Sequence, residues 1–137
     1  MPGRKTGRTG ESVTLVRFSI PGEPAPKGSK SVSRSGHLYE QSRFLPAWQK
    51  AAAGALSGEL APPYRVRVTF VCERPKSSKF NWPVRGDLDK YLRALGDALQ
   101  SSGVISDDKH VLRWDAVKLY GTSPRAYGYV ESIKGYE

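Results

Sequence analysis

Four aspartates bracket one segment of this sequence, GDLDKYLRALGDALQSSGVISDD, residues 86–108. Asp87 and Asp89 stand at the start of an expected helix. Asp107 and Asp108 follow it, beyond a Ser-Ser-Gly turn. Crowded carboxylates repel one another unless a positive charge sits between them. The rest of the chain is basic, with 22 Lys and Arg against 13 Asp and Glu and a formal net charge of +9. An acidic cluster in such a chain points to a divalent cation working on a phosphodiester. The cation would activate and orient water and offset charge on the phosphate in the transition state.

The donor types narrow the cation. Cys72 is the only cysteine, and His37 and His110 are the only histidines. A multi-thiolate zinc site within one chain and an intrachain disulfide are both excluded. What remains is a hard ion held by oxygen, magnesium or manganese. The single cysteine fits a reducing cytoplasm. No run approaches the roughly 20 apolar residues of a membrane span. The N-terminal MPGRKTGRTGES is basic and has no apolar h-region. Residues 1–12 are therefore expected to be a flexible basic tail, and 13–137 one domain. The positive excess favours a polyanionic partner, chiefly nucleic acid.

Positioning the aspartates requires the following elements. Residues 13–20 alternate as a strand. PGEPAPKGSKS follows as a loop, and Ser31–Ser33 with His37–Tyr39 can form a small hairpin about Arg34-Ser35-Gly36. Ser42 is expected to cap a helix over about 43–57, with Pro46 in its first turn. Phe44, Leu45, Trp48, Ala51, Ala52 and Leu56 lie on one side of it, and Gly58 stops it. Val66, Val68 and Phe70 alternate with Arg65, Arg67 and Thr69 in a strand over 64–73. A polar loop over 74–86 leads into a helix over about 87–101, whose apolar stripe is Leu88, Leu92, Leu95 and Leu99. Gly96 permits close packing there, and Gly103 ends the helix. Two strands, 111–120 and 126–133, close the chain. The pattern is α+β, a small mixed sheet packed with two main helices.

With Asp87 as cap residue and Asp89 in the first turn, both carboxylates lie at the positive end of the helix dipole. A third ligand, Asp108 or Asp107, requires residues 104–108 to run back extended beside the helix start. Five extended residues cover roughly 17 Å and a fifteen-residue helix about 22 Å, so closure is feasible. Arg93 lies four residues after Asp89, in the favourable order for an ion pair. Its role would be electrostatic, holding Asp89 or touching the scissile phosphate. The plain structural reading stands beside this one. Aspartate is a common helix cap, and Asp-Asp before a strand is common turn chemistry.

GDLDKYLRALGDAL followed by SGVISDDKHV resembles the signature of the RusA family of Holliday junction resolvases. That pattern is Asp-x-Asp-Asn, a lysine three residues on, Asp-Ala-Leu, then Gly-(apolar)-x-x-Asp-Asp. IPGEPAPKGSKS and GHLYEQSRFLPAWQKAAA resemble the N-terminal loop and first helix of phage-type members. The resemblance implies that Asp87, Asp89 and Asp108 are metal-binding and catalytic, with Asp107 the acidic residue before the third. It also implies a RusA-like fold, magnesium or manganese as cofactor, and a homodimer that nicks two opposed strands of a four-way junction. Two positions depart from the pattern: Lys90 replaces the asparagine, and Arg93 replaces the functional lysine. Arg93 keeps the charge but not the geometry or the ability to deprotonate.

Lys76, Lys79 and Arg85, in the loop feeding the acidic helix, are candidates for DNA-backbone contact. Lys90, on that helix, joins them, with Lys27, Lys30 and Arg34 in the N-terminal loop as further candidates. Phe80 and Trp82 can stack on unpaired bases or pack on their own loop. Two alternatives stay open: a non-catalytic protein that binds junctions or other nucleic acid, and a nuclease of other branched DNA.

Overall fold

The computed structural model describes residues 14–28, 30–32, 38–40 and 43–136. The expected basic tail, Arg34-Ser35-Gly36 and Ser42 lie outside them. The elements run β1 (Leu15–Pro21), β2 (Lys30–Val32), β3 (Leu38–Glu40), α1 (Leu45–Ala55), β4 (Tyr64–Cys72) and α2 (Leu88–Ser101). A short 3-10 turn (Asp108–His110), β5 (Val111–Tyr120) and β6 (Arg125–Ser132) complete them. This is the α+β arrangement expected, in one small domain.

The main sheet has the order β1-β6-β4-β5. β6 pairs antiparallel with both β1 and β4, while β4 and β5 are parallel. Parallel neighbours need a crossover connection. Here the crossover is the stretch carrying the 74–86 loop, α2 and the acidic pair. Strands β5 and β6 follow one another in sequence but are separated in the sheet by β4. The expected hairpin is present as the antiparallel pair β2/β3.

The alternation read in the strands decides which face is covered. Val16, Phe18 and Ile20 of β1, Val66, Val68 and Phe70 of β4, and Ala126 and Val130 of β6 form one buried cluster. Leu45, Trp48 and Ala52 of α1 and Tyr91, Leu95 and Leu99 of α2 complete it. Burying a side chain the size of Leu95 or Leu99 contributes about 1.5–3 kcal/mol. Gly128 lies opposite Val68, and the Arg67 carbonyl occupies the space where its Cβ would stand. Any side chain at this position would collide with backbone.

Two expectations about the helices are corrected. The α1 cap position is Phe44, with no side-chain hydrogen bond, and Pro46 falls in the first turn as read. On α2, Leu95 and Leu99 are fully buried, but Leu88 and Leu92 are only partly so. Tyr91 and Ala94 take the other core positions. The buried face is rotated from the leucine stripe because the tyrosine ring fills more core volume. It packs 5.3 Å from the Phe70 ring.

Candidate active site

Asp87 is the N-cap residue of α2, as its place in the sequence requires. Its side chain makes no capping hydrogen bond and is 75% exposed. The carboxylate is thus available for other partners, apart from a loose approach of 3.9 Å by Lys90 Nζ. Asp89 follows in the first turn, also exposed. The backbone ahead of them is held by two side-chain hydrogen bonds. Tyr91 donates its hydroxyl to the Arg85 carbonyl at 3.0 Å, and Lys118 Nζ donates to the Gly86 carbonyl at 2.7 Å. Gly86 has φ +76°, with the Tyr91 ring and Pro26 close to the position a Cβ would take. A glycine is required at such a turn. Sequence reasoning did not single out Lys118 or Tyr91, because β5 and the helix meet only in three dimensions.

The second acidic pair lies elsewhere than expected. The chain does not run back to the helix start after Gly103. Val104 and Ile105 are buried, Ile105 N–H donates to the Leu99 carbonyl, and Leu60 N–H donates to that of Val104. Tyr64 secures the segment further, accepting from Ser106 N–H at 3.0 Å and donating to the Leu60 carbonyl. Burial of these two apolar residues outweighs an extended return. Asp108 therefore sits beside the middle of α2. Its N–H donates to Gln100 Oε1 at 3.2 Å, and its carboxylate lies over Gly96. Asp107 caps the 3-10 turn by accepting from Lys109 N–H at 3.0 Å. That hydrogen bond, with the nearby Lys109 charge, holds its pKa below the usual carboxylate range.

Asp89, Arg93, Gly96 and Gln100 fall within about 60° of arc on α2, given 100° per residue. Asp108 is thus placed on the same stripe as Asp89, separated from it by about 10 Å of helix rise. Among the described residues, no group of three or more Asp, Glu, His or Cys is gathered closely enough to hold a metal ion. Donor type still suits a hard cation. Magnesium is usually bound through one or two carboxylates completed by substrate phosphate rather than by an all-protein cage. The uncapped Asp87 and Asp89 can supply such a pair.

Arg93 does not pair with Asp89 among the described ion pairs. Its guanidinium lies across Gly28, in the space of the absent side chain. The N-terminal loop is fastened to the same helix by Lys27. Its N–H donates to the Lys90 carbonyl and its Nζ pairs with Asp97. Lys27 is thus engaged with the protein itself. Lys30 stands on β2, and its side chain lies outside the described residues. Lys76, Lys79 and Arg85 are exposed and take part in no ion pair among the described residues. Phe80 and Trp82 pack on each other, ring centroids 5.3 Å apart, yet stay 45% and 59% exposed.

Beneath this loop is a cavity of about 360 Å³ lined by Glu23, Cys72, Lys79, Arg85, Tyr91 and Tyr120, among others. Burial pushes the Cys72 thiol up to about 11 and raises the Tyr91 hydroxyl and the Glu23 carboxyl above their ordinary values. Glu23 accepts from Glu73 N–H at 3.0 Å. It escaped sequence reasoning because the backbone it holds, at Glu73, lies fifty residues away along the chain.

A search of curated proteins finds no matching relative. The model of a protein family described as Endodeoxyribonuclease RusA matches residues 21–130, from the end of β1 to β6 and including all four aspartates. With four fifths of its length matched, the chain belongs to the RusA endodeoxyribonuclease family.

Proposed function

We propose that this chain is a metal-dependent, structure-selective DNA endonuclease that resolves four-way junctions by paired nicks, acting as a homodimer in the cytoplasm of a bacterial or phage-infected cell. The observation that carries the proposal is the exposed stripe of α2, where Asp89, Arg93 and Asp108 follow one another inside the family-matched segment. Asp87 and Asp89 are the pair that would hold Mg²⁺ or Mn²⁺ together with substrate phosphate, while Asp108, with Asp107 next to it in sequence, stands about 10 Å further along α2 and would face the bound strand. A bound ion of this kind supplies charge neutralisation and a more acidic water.

The chain's own groups do the positioning. The carboxylates accept hydrogen bonds from the attacking water and fix its approach. Arg93 and the free N–H groups of the α2 start attract the phosphate. Water adds at phosphorus, the P–O3′ bond breaks, and the products carry a 5′-phosphate and a 3′-hydroxyl. Lys76, Lys79 and Arg85 hold the backbone of the arm entering the site. Lys90 assists from the first turn of α2. A four-way junction is close to two-fold symmetric, so a closed two-fold dimer supplies the two active sites that paired incision needs.

One observation favours a second reading, a non-catalytic junction-binding protein. It is the separation of Asp108 from the helix start, with no three-carboxylate group among the described residues. Incubating the chain with an end-labelled synthetic four-way junction, with and without Mg²⁺, separates the two. The endonuclease reading expects symmetric nicks that appear only with the ion. A retarded complex with intact strands in both conditions would leave the second reading standing. Duplex and flap substrates in the same assay separate junction resolution from cleavage of other branched DNA.

A further inference from the structure

The sheet has a second face that no described element covers. The pairing registers set its side chains in rows. Arg17, Tyr129, Arg67 and Asp115 form one row, and Ser19, Tyr127, Thr69 and Val117 the next. Arg65 and Arg113 lie beyond the first row, and Arg125 beyond the second. Two shallow hollows of about 550 and 440 Å³ share Arg67 and Thr69, so they form one trough across the strands.

The charge on this face is unbalanced. It carries five arginines and two carboxylates, Asp115 and Glu131. Both carboxylates are already engaged. Asp115 pairs with Arg65 at 2.8 Å and Arg113 at 3.3 Å, and Glu131 pairs with Arg65 at 3.4 Å. Arg17, Arg67 and Arg125 take part in no ion pair among the described residues. Two tyrosines lie between these arginines, about 7 Å apart along β6, and the Arg125 guanidinium stacks 4.8 Å from the Tyr127 ring centre.

We propose that this face is a nucleic-acid surface distinct from the acidic helix, and that its occupant is a single strand. Unpaired cations attract phosphate, and each contact releases counterions. Tyr127 is exposed and Tyr129 half-buried, and rings open to solvent stack on bases that are not already stacked, which a duplex does not offer. A four-stranded sheet whose surface aromatics stack two or three bases is a known way of holding a single strand. A second copy of the chain is the competing occupant, favoured by exposed Val117 and Leu119 at the β5 end of the face. Charge argues against it, because two such faces would bring their excess arginines together without acids to meet them. This inference does not rest on cleavage at α2.

The test uses the full chain and an oligo(dT) strand of roughly 20 nucleotides carrying 5-iodouracil, long enough to cross one such face, with oligo(U) as the RNA arm. After irradiation and tryptic digestion, the expected cross-linked peptide spans residues 126–134 and contains Tyr127 and Tyr129. Cross-links confined to the 74–93 segment in both arms overturn the proposal. In parallel, Arg17→Ala/Arg67→Ala should weaken single-strand binding at least tenfold and lower the salt slope by about 1.4, from about 0.7 per lost contact. Unchanged affinity overturns the proposal. So does a change in sedimentation coefficient in the variant, which would assign the face to a second copy.

Discussion

The carboxylate of Asp108 lies over Gly96, its Oδ2 3.6 Å from where a Cβ on that glycine would stand. That separation is ordinary van der Waals contact, so a methyl group fits but nothing larger does. Gly96→Ala should therefore keep Asp108 in place while removing the cost of a mid-helix glycine, about 0.5–1 kcal/mol. Gly96→Leu should push Asp108 off the stripe. Urea unfolding should show the alanine variant as more stable, and junction cleavage should survive in it and collapse in the leucine variant. Equal activity in both would separate the Gly96 contact from catalysis.

Removing the charge of one carboxylate while keeping its shape tests the acidic stripe directly. Asp89→Asn and Asp108→Asn should each reduce cleavage by at least about 100-fold, the scale of a lost catalytic group. Junction binding, followed by gel retardation, should be unchanged or tighter, since each variant removes a negative charge facing the DNA. Full cleavage by either variant in Mg²⁺ would remove that residue from the site.

The cations of the 74–86 loop should act through phosphate alone. Lys76→Ala and Lys79→Ala should weaken binding to all DNA sequences alike and lower the salt slope by about 1 each. Affinities measured between low and moderate salt give that slope. A loss confined to one sequence would point to base contact instead.

Lys118 sits on β5, far in sequence from the residues it positions. Lys118→Met keeps most of the aliphatic stem but leaves the Gly86 carbonyl without its charged donor. Such a hydrogen bond contributes about 1.5–3 kcal/mol. The variant should unfold at lower urea and cleave more slowly, with junction affinity little changed. Wild-type cleavage in this variant would show that Gly86 holds its turn without help.

Cys72 should be inert to thiol reagents in the folded chain. It is buried, and its thiol is pushed up to about 11. At pH 8 only about one thiol in a thousand is the reactive thiolate. Because the folded value is raised above the unfolded one, the neutral thiol's contribution to stability is complete below about 9. It is lost as pH climbs toward 11. Reaction with a colorimetric disulfide should be slow at pH 8 and become rapid in urea.

The local chemistry of the site was legible in the sequence, and its closure was not. Alternation in residues 64–73 identified β4, and the Pro-Gly-Lys composition of the segment after β1 identified the loop. Asp87 at a cap and Asp89 in the first turn followed from the helix pattern. The place of Asp108 did not, because it depends on Val104 and Ile105 being drawn into the core at the far end of α2. A tally of chain lengths permits a return to the helix start but says nothing of that competing burial. The rotation of α2 toward Tyr91 was hidden for a similar reason. Four leucines at helical spacing look like a core stripe, and only the neighbouring Phe70 ring shows that a tyrosine shares it. Lys118 and Glu23 act on backbone thirty to fifty residues away, contacts that the order of residues along the chain does not reveal.

The parallel pairing of β4 with β5 brings a last consequence. Every acidic residue of the proposed centre is carried on the connection between those two strands. That connection acquires its shape only when β5 docks, and docking joins segments some fifty residues apart, a slow kind of contact to form. A nascent or misfolded copy thus has the aspartates but no arrangement of them. The arrangement of the acidic centre would arrive with the finished sheet and leave with it.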